Sequence, residues 1–286
     1  MLGWMGSRHF RSAGRAGATA AGLGLLLAAA GCAHPARIDD TRPKIRLFSS
    51  SAFVHKTALE MHLATPPSGD RRRVLVLYAS GDGGWFGAAV DMFREIGALG
   101  YPVAGFSSKA FLKIERPEKW IVDTRELALE YDAVITQARA ALALPPETPV
   151  VLTGWSRGAA FAVLAASDLR SVDHIAGIVA IGLAEGEDLR IDGPEDETDE
   201  GQAATTSRRW PFEPYLQIDR LGTLPCAVIQ STGDNYLPAA KARALFGPDT
   251  AVRRFYAVPA KNHRFSGGKE EFDRSLRDAL SWITAD

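Results

Sequence analysis

The chain has 286 residues, a formal net charge of −1 and 46% hydrophobic residues. That is enough apolar material for a large buried core, in one domain of above-average size or two small ones. The near-zero charge argues against the basic face of a nucleic-acid-binding protein, and no internal repeat is visible.

The N-terminus differs in kind from the rest. Residues 1–17 carry Arg8, Arg11 and Arg15 and no acid, and an apolar, small-residue run follows up to Cys32. A basic segment, an apolar segment and small residues before a cut make a secretory signal peptide. The run is too short for a membrane span, which needs about 20 apolar residues. Ala29-Ala30-Gly31-Cys32 resembles a bacterial lipobox, although Ala29 stands where a large aliphatic residue is usual. The resemblance implies cleavage after residue 31 and lipidation of Cys32. Ala33, rather than an aspartate, resembles lipoproteins sorted to the outer membrane. Residues 32–43, polar with two prolines, read as a tether, and 44–286 as the folded domain.

Within that domain apolar runs alternate with longer helical patterns. "KIRLFSS" and "ALEMHLAT" predict two strands with no room for a helix between them, hence an antiparallel edge. Runs at 73–80, 100–106, 149–155, 174–183, 225–231 and 252–259 are strand candidates. Several are rich in Val, Ile and Leu without alternation, as parallel strands covered on both faces are. Helical spacing recurs at 86–98, 120–142, 157–167, 237–246 and in "KEEFDRSLRDALSWI" at the C-terminal end. The alternation predicts an α/β domain, a mostly parallel central sheet flanked by helices on both faces. Residues 184–209 interrupt it with an acidic, Gly- and Pro-containing stretch lacking a core pattern. Such a stretch is a functional lid or a solvated excursion.

The chemistry starts at "VLTGWSRGAA". A G-x-S-x-G pattern is weak alone, but here a strand precedes it and a helix follows, as a nucleophile elbow requires. Ser156 is the candidate nucleophile. A serine hydroxyl needs a base, and the order Ser, acid, His leaves Asp234, in the glycine turn of "STGD", and His263, in "NHRF". Each of the three follows a strand's carboxyl end, where catalytic groups of open α/β sheets lie. His174, which begins an apolar run, reads as structural. Two backbone N–H donors must serve the oxyanion: Arg157, more for its N–H than its charge, and Asp82 in "SGDGGW", with Gly83 as the alternative. That glycine-rich loop is followed by no Gly-Lys-Ser/Thr, and no G-x-G-x-x-G occurs, so no nucleotide cofactor is expected. The chain's only other cysteine, Cys226, lies in an apolar run and reads as a core residue. With two cysteines no disulfide framework or cysteine-based metal site can be built.

The segments "LYASGDGGW", "GYPVAGFSS", "VVLTGWSRGAA", "STGD" and "NHRF" together resemble the bacterial virulence protein VirJ/AcvB family of α/β hydrolases over about residues 72–286. The resemblance implies an α/β-hydrolase fold and a periplasmic serine esterase acting on aminoacylated phosphatidylglycerol, such as the lysyl lipid. The family's elbow reads Gly-Tyr-Ser-x-Gly-Ala-Asp; this chain has Trp155 and Ala160 at the differing positions. Asp82 and the acids of 184–200 would attract the lipid's amine. The alternatives are a general carboxylesterase or peptidase, and a non-catalytic periplasmic binding or adaptor module on a hydrolase scaffold.

Overall fold

The computed structural model describes residues 45–66, 72–114, 124–168, 174–187 and 212–285. The signal peptide, Cys32 and the tether lie outside the described residues, as does the acidic stretch from 188 onward.

The first two strands, β1 (Arg46–Val54) and β2 (Thr57–Thr65), form a hairpin whose register runs from Arg46↔Thr65 to Val54↔Thr57. Its two-residue turn is His55-Lys56, both at positive φ (47° and 69°), the backbone twist that suits tight hairpins. β2 then pairs antiparallel with β4 (Val103–Phe106), which joins this edge to the parallel part of the sheet.

The parallel strands are β3 (Leu75–Ala79), β4, β5 (Val150–Trp155), β6 (Ile175–Ile181), β7 (Cys226–Ser231) and β8 (Arg253–Val258). Among the described residues the sheet has eight strands in the order β1-β2-β4-β3-β5-β6-β7-β8. Every residue of β3, β4 and β7 is buried. That explains their unbroken apolar character, because both faces are covered.

The two faces build two cores. Leu75, Leu77 and Ala79 point to one, with α2 (Ser108–Leu112), α3 (Thr124–Ala141), α4 (Arg157–Asp168), α5 (Pro214–Ile218) and α6 (Ala239–Phe246). Val76 and Tyr78 point to the other, with α1 (Ala88–Ala98) and α7 (Lys269–Ile283). α7 buries Phe272, Leu276, Ala279, Leu280 and Ile283, a stripe at helical spacing. α4 is different: Gly158 to Ser167 are all buried, so its small residues let it lie tightly on the sheet.

The chain runs from β3 outward to β4, then returns to place β5 on the other side of β3. The carboxyl ends of β3 and β5 therefore flank the point where strand order reverses, the usual ligand crevice of an open α/β sheet. The loop 80–85 and Ser156 follow these two strands.

Candidate active site

Ser156 occupies the one-residue turn between β5 and α4, at φ 57°. A non-glycine residue in that region is strained, and such strain collects at functional turns. Two glycines make the turn possible. A Cβ on Gly154 would lie 2.1 Å from the Gly158 carbonyl group, and one on Gly158 would lie 2.1 Å from the Ala79 carbonyl oxygen. The pattern G-x-S-x-G is thus a steric requirement of packing α4 against β5 and β3. The Ser156 N–H donates to Ile181 O at 2.8 Å, and Ser156 O accepts from Ala159 and Ala160, starting the helix.

Asp234 follows β7 and His263 follows β8. His263 Nδ1 donates to Asp234 Oδ2 at 2.6 Å. Asp234 is 1% exposed, and its carboxylate is fully engaged. Oδ2 also accepts from Gln230 Nε2 at 3.1 Å, while Oδ1 accepts from the N–H groups of Tyr236 (2.9 Å) and Leu237 (3.3 Å). Asp234 is therefore a turn residue and a histidine partner at once. An ionised carboxylate only accepts, so its contact sets the neutral imidazole as the Nδ1–H tautomer. The other ring nitrogen, Nε2, is buried and has no hydrogen-bond partner among the described residues.

The imidazole is held on its sides as well. Trp155 stacks on it (5.4 Å, 29°) and Tyr236 meets it edge-on (4.9 Å, 74°). The Trp155 Nε1–H donates to His263 O at 3.3 Å. The loop itself is tied by Asn262, whose Oδ1 accepts from Arg264 N and Ser266 N. Phe265, buried at φ 58°, anchors it against Phe272.

Ser156 and His263 line one cavity of about 320 Å³, together with Asp82, Trp155, Tyr236 and Arg264. Neither the Asp82 nor the Arg157 N–H has a partner among the described residues. The Gly83 N–H, by contrast, donates to Asp82 Oδ1 at 2.8 Å, so of these two loop N–H groups only that of Asp82 is without a partner among the described residues. A cavity of about 380 Å³ between α1 and α7 shares Arg264 but contains neither Ser156 nor His263.

Solved structures share this architecture. A Klebsiella pneumoniae protein assigned as a dienelactone hydrolase superposes with a TM-score of 0.60 at 14% identity, covering 85% of this chain and 100% of its own. Est1E from Butyrivibrio proteoclasticus gives 0.58 at 14% identity, covering 83% and 99%. An α/β serine hydrolase without lid from Xanthomonas campestris gives 0.54 at 14% identity, covering 84% and 97%. The chain has the α/β-hydrolase fold. No protein-family model and no curated protein matches it.

The Arg157 side chain has a partner of its own: its Nε–H donates to Glu187 Oε1 at 2.7 Å, and Glu187 is 9% exposed. Glu187 also bridges antiparallel to Phe212. The residue beside the nucleophile thus ties down the segment leading into the acidic stretch, which the sequence treats as patternless from 184. Gln230 escapes sequence reading because it sits in an apolar strand; its amide bonds Asp234 and Leu237 O (2.7 Å). His174 is exposed, ahead of β6 and away from this end of the sheet. The cluster of His55, Glu126 and Glu130 has the residue types of a metal site. Its shortest contact, His55 Nε2 to Glu130 at 2.7 Å, ties the hairpin turn to α3, remote from the cavity. Cys226 is fully buried, and burial pushes its thiol up to about 12, which keeps it protonated and inert.

Proposed function

We propose that this protein is a serine hydrolase that cleaves carboxylic esters through an acyl-enzyme on Ser156. One observation carries the reading. The strained Ser156 turn lines the same cavity as a histidine whose Nδ1 is committed to a buried aspartate and whose Nε2 has no partner among the described residues.

In the proposed cycle Ser156 Oγ attacks the ester carbonyl while His263 Nε2 takes its proton. Asp234 keeps the imidazole in the tautomer that presents a basic Nε2, and stabilises the imidazolium that forms. The backbone N–H groups of Arg157 and Asp82 receive the negative charge of the tetrahedral intermediate. His263 returns the proton to the leaving alcohol. A water, deprotonated by the same nitrogen, then hydrolyses the acyl-enzyme and frees Ser156. The Ser156–His263 hydrogen bond is open in the free protein. Such contacts commonly tighten only when substrate excludes water.

The finer reading follows the family resemblance: the ester is an aminoacyl phosphatidylglycerol, and the enzyme is anchored in the periplasm, at the outer membrane, through a lipidated Cys32. Asp82 supports the substrate class, since its exposed carboxylate at the cavity is placed to attract an ammonium group. Ala160, where the resembled family has an aspartate, is fully buried in α4 and does not line the cavity.

A fluorophosphonate probe is expected to label the wild type and not Ser156→Ala. That substitution should lower ester turnover by a factor of about 10⁴–10⁶. A folded wild type that takes no label would refute the reading. Lysyl-phosphatidylglycerol should be turned over faster than neutral short-chain esters; the opposite preference would reject the aminoacyl lipid. Radiolabelled palmitate in growing cells should enter the wild type and not Cys32→Ala.

A further inference from the structure

The loop after β3 has to aim a peptide N–H, and a peptide plane can be aimed from its carbonyl side. The Gly81 carbonyl is where this loop is gripped. It accepts from the Gly84 N–H at 3.0 Å, which closes a tight turn over residues 81–84. It also accepts from two hydroxyls, Ser108 Oγ at 2.8 Å and Ser80 Oγ at 3.2 Å. The Ser108 N–H donates to Ser80 Oγ at 3.2 Å, which links the two serines. Both are fully buried. Ser80 directly follows β3, and Ser108 lies just beyond β4, so two paired strands each deliver one hydroxyl to the same oxygen.

A trans peptide holds its C=O and N–H in opposite directions. Gripping the Gly81 oxygen from the Ser108 side therefore turns the Asp82 N–H the other way. Gly81 abuts the nucleophile, since a Cβ on it would lie 3.3 Å from Ser156 Cβ. Asp82 lines the cavity that holds Ser156 and His263.

We propose that Ser108, assisted by Ser80, is a positioning residue that fixes the Gly81–Asp82 peptide so that the Asp82 N–H meets the oxyanion. The proposal rests on the Ser156 hydrolase reading above. Two features separate this role from ordinary buried-polar packing. The neighbouring Ser107 already caps α2, its Oγ accepting from Ala110 N at 3.2 Å, so the helix does not need the Ser108 hydroxyl. The Gly81 carbonyl already has the Gly84 N–H, so Ser108 is not needed to satisfy it. What the hydroxyl adds is direction.

The test uses the whole protein and its Ser108→Ala and Ser80→Ala variants. Sites are counted by exhaustive fluorophosphonate titration, turnover is measured on 4-nitrophenyl butyrate, and affinity is measured for an alkyl boronic acid whose serine adduct is tetrahedral. Ser108→Ala should lower kcat per titrated site by about tenfold, less than the ~10²–10³ for deleting a donor outright. KM should be unchanged, and boronic-acid affinity should weaken in step with kcat. Ser80→Ala should do the same to a smaller extent, in keeping with its longer contact; it also carries the test if Ser108→Ala does not fold. Wild-type kcat per site in both variants would overturn the proposal. So would a fall in kcat that leaves boronic-acid affinity untouched. A wild type that neither takes the label nor turns over the ester rejects the hydrolase reading itself, and the positioning role with it.

Discussion

Two glycine-containing turns meet at the cavity, and they are held by different means. The elbow at Ser156 is held by backbone against backbone. Gly154 and Gly158 each face main-chain atoms at 2.1 Å from an added Cβ. The loop 80–85 has the backbone bonds Gly84 N–H to Gly81 O and Ser80 N–H to Phe106 O, and its remaining anchors are side chains. Two serine hydroxyls grip Gly81, and Trp85 lies over Gly105, where an added Cβ would meet the indole at 2.3 Å. Trp85 also stacks on His62 (4.1 Å, 8°) and meets Phe93 edge-on (5.1 Å). The elbow cannot be altered without moving β3, β5 and α4. The loop can be loosened one contact at a time while the core stays in place.

The largest expected effect tests the rigid side. Gly158→Ala drives a methyl group into the Ala79 and Ser80 carbonyls, which cannot turn aside. It should destabilise the protein by about 4 kcal/mol or more, the range reserved for severe core strain, and abolish hydrolysis. Gly83→Ala is the matched control in the loop. Its new methyl would meet only the tip of the Phe86 ring at 3.3 Å, on a side chain that is 62% exposed. Its stability should stay within about 0.5 kcal/mol of wild type. Urea midpoints for the two variants decide the matter; similar losses would remove the distinction.

A smaller effect should come from Trp85→Ala. The ring is partly buried, so the loss should fall below the ~3–5 kcal/mol of a full core Trp→Ala change, at about 2 kcal/mol. Because the anchor holds the loop and not the elbow, fluorophosphonate should still label Ser156 to completion, while ester turnover falls. A variant with unchanged turnover would show that Trp85 only fills space.

The same contrast explains what could be read from the sequence. Sterically enforced features leave composition marks. G-x-S-x-G, the small residues Gly158, Ala159 and Ala160 early in α4 and the unbroken strand runs were legible, and the α7 pattern at 269–283 coincides with the helix. The antiparallel edge was legible because no helix fits between 50 and 58. Features held by single side chains were not. Nothing in "GFSSKA" marks α2 as a helix or separates Ser107, a cap, from Ser108, a loop contact. Gln230 looks like a blemish in a strand until Asp234 is placed beside it. Arg157 and Glu187 are 30 residues apart, so no local pattern pairs them.

The smallest effect concerns pH and again separates the two turns. His62, on β2, stacks on Trp85 and so touches the loop's anchor and not the elbow. Burial lowers its pKa from the ordinary 6.5, and the Glu60 carboxylate, 4.0 Å away, partly opposes this. As pH falls through 6.5 the unfolded chain takes up the proton before the folded one does. The contribution of neutral His62 to stability is therefore complete above about pH 6.5 and is lost as pH falls through the lower folded pKa. His62→Phe keeps an aromatic ring against Trp85 but cannot titrate. Acid effects from carboxylates are largely common to both proteins and cancel in the difference. Between pH 7.5 and pH 5 the wild type should thus lose more stability than His62→Phe, by urea unfolding at matched ionic strength. Parallel curves for the two proteins would mean that the imidazole titrates equally in both states and that the loop's anchor does not respond to pH.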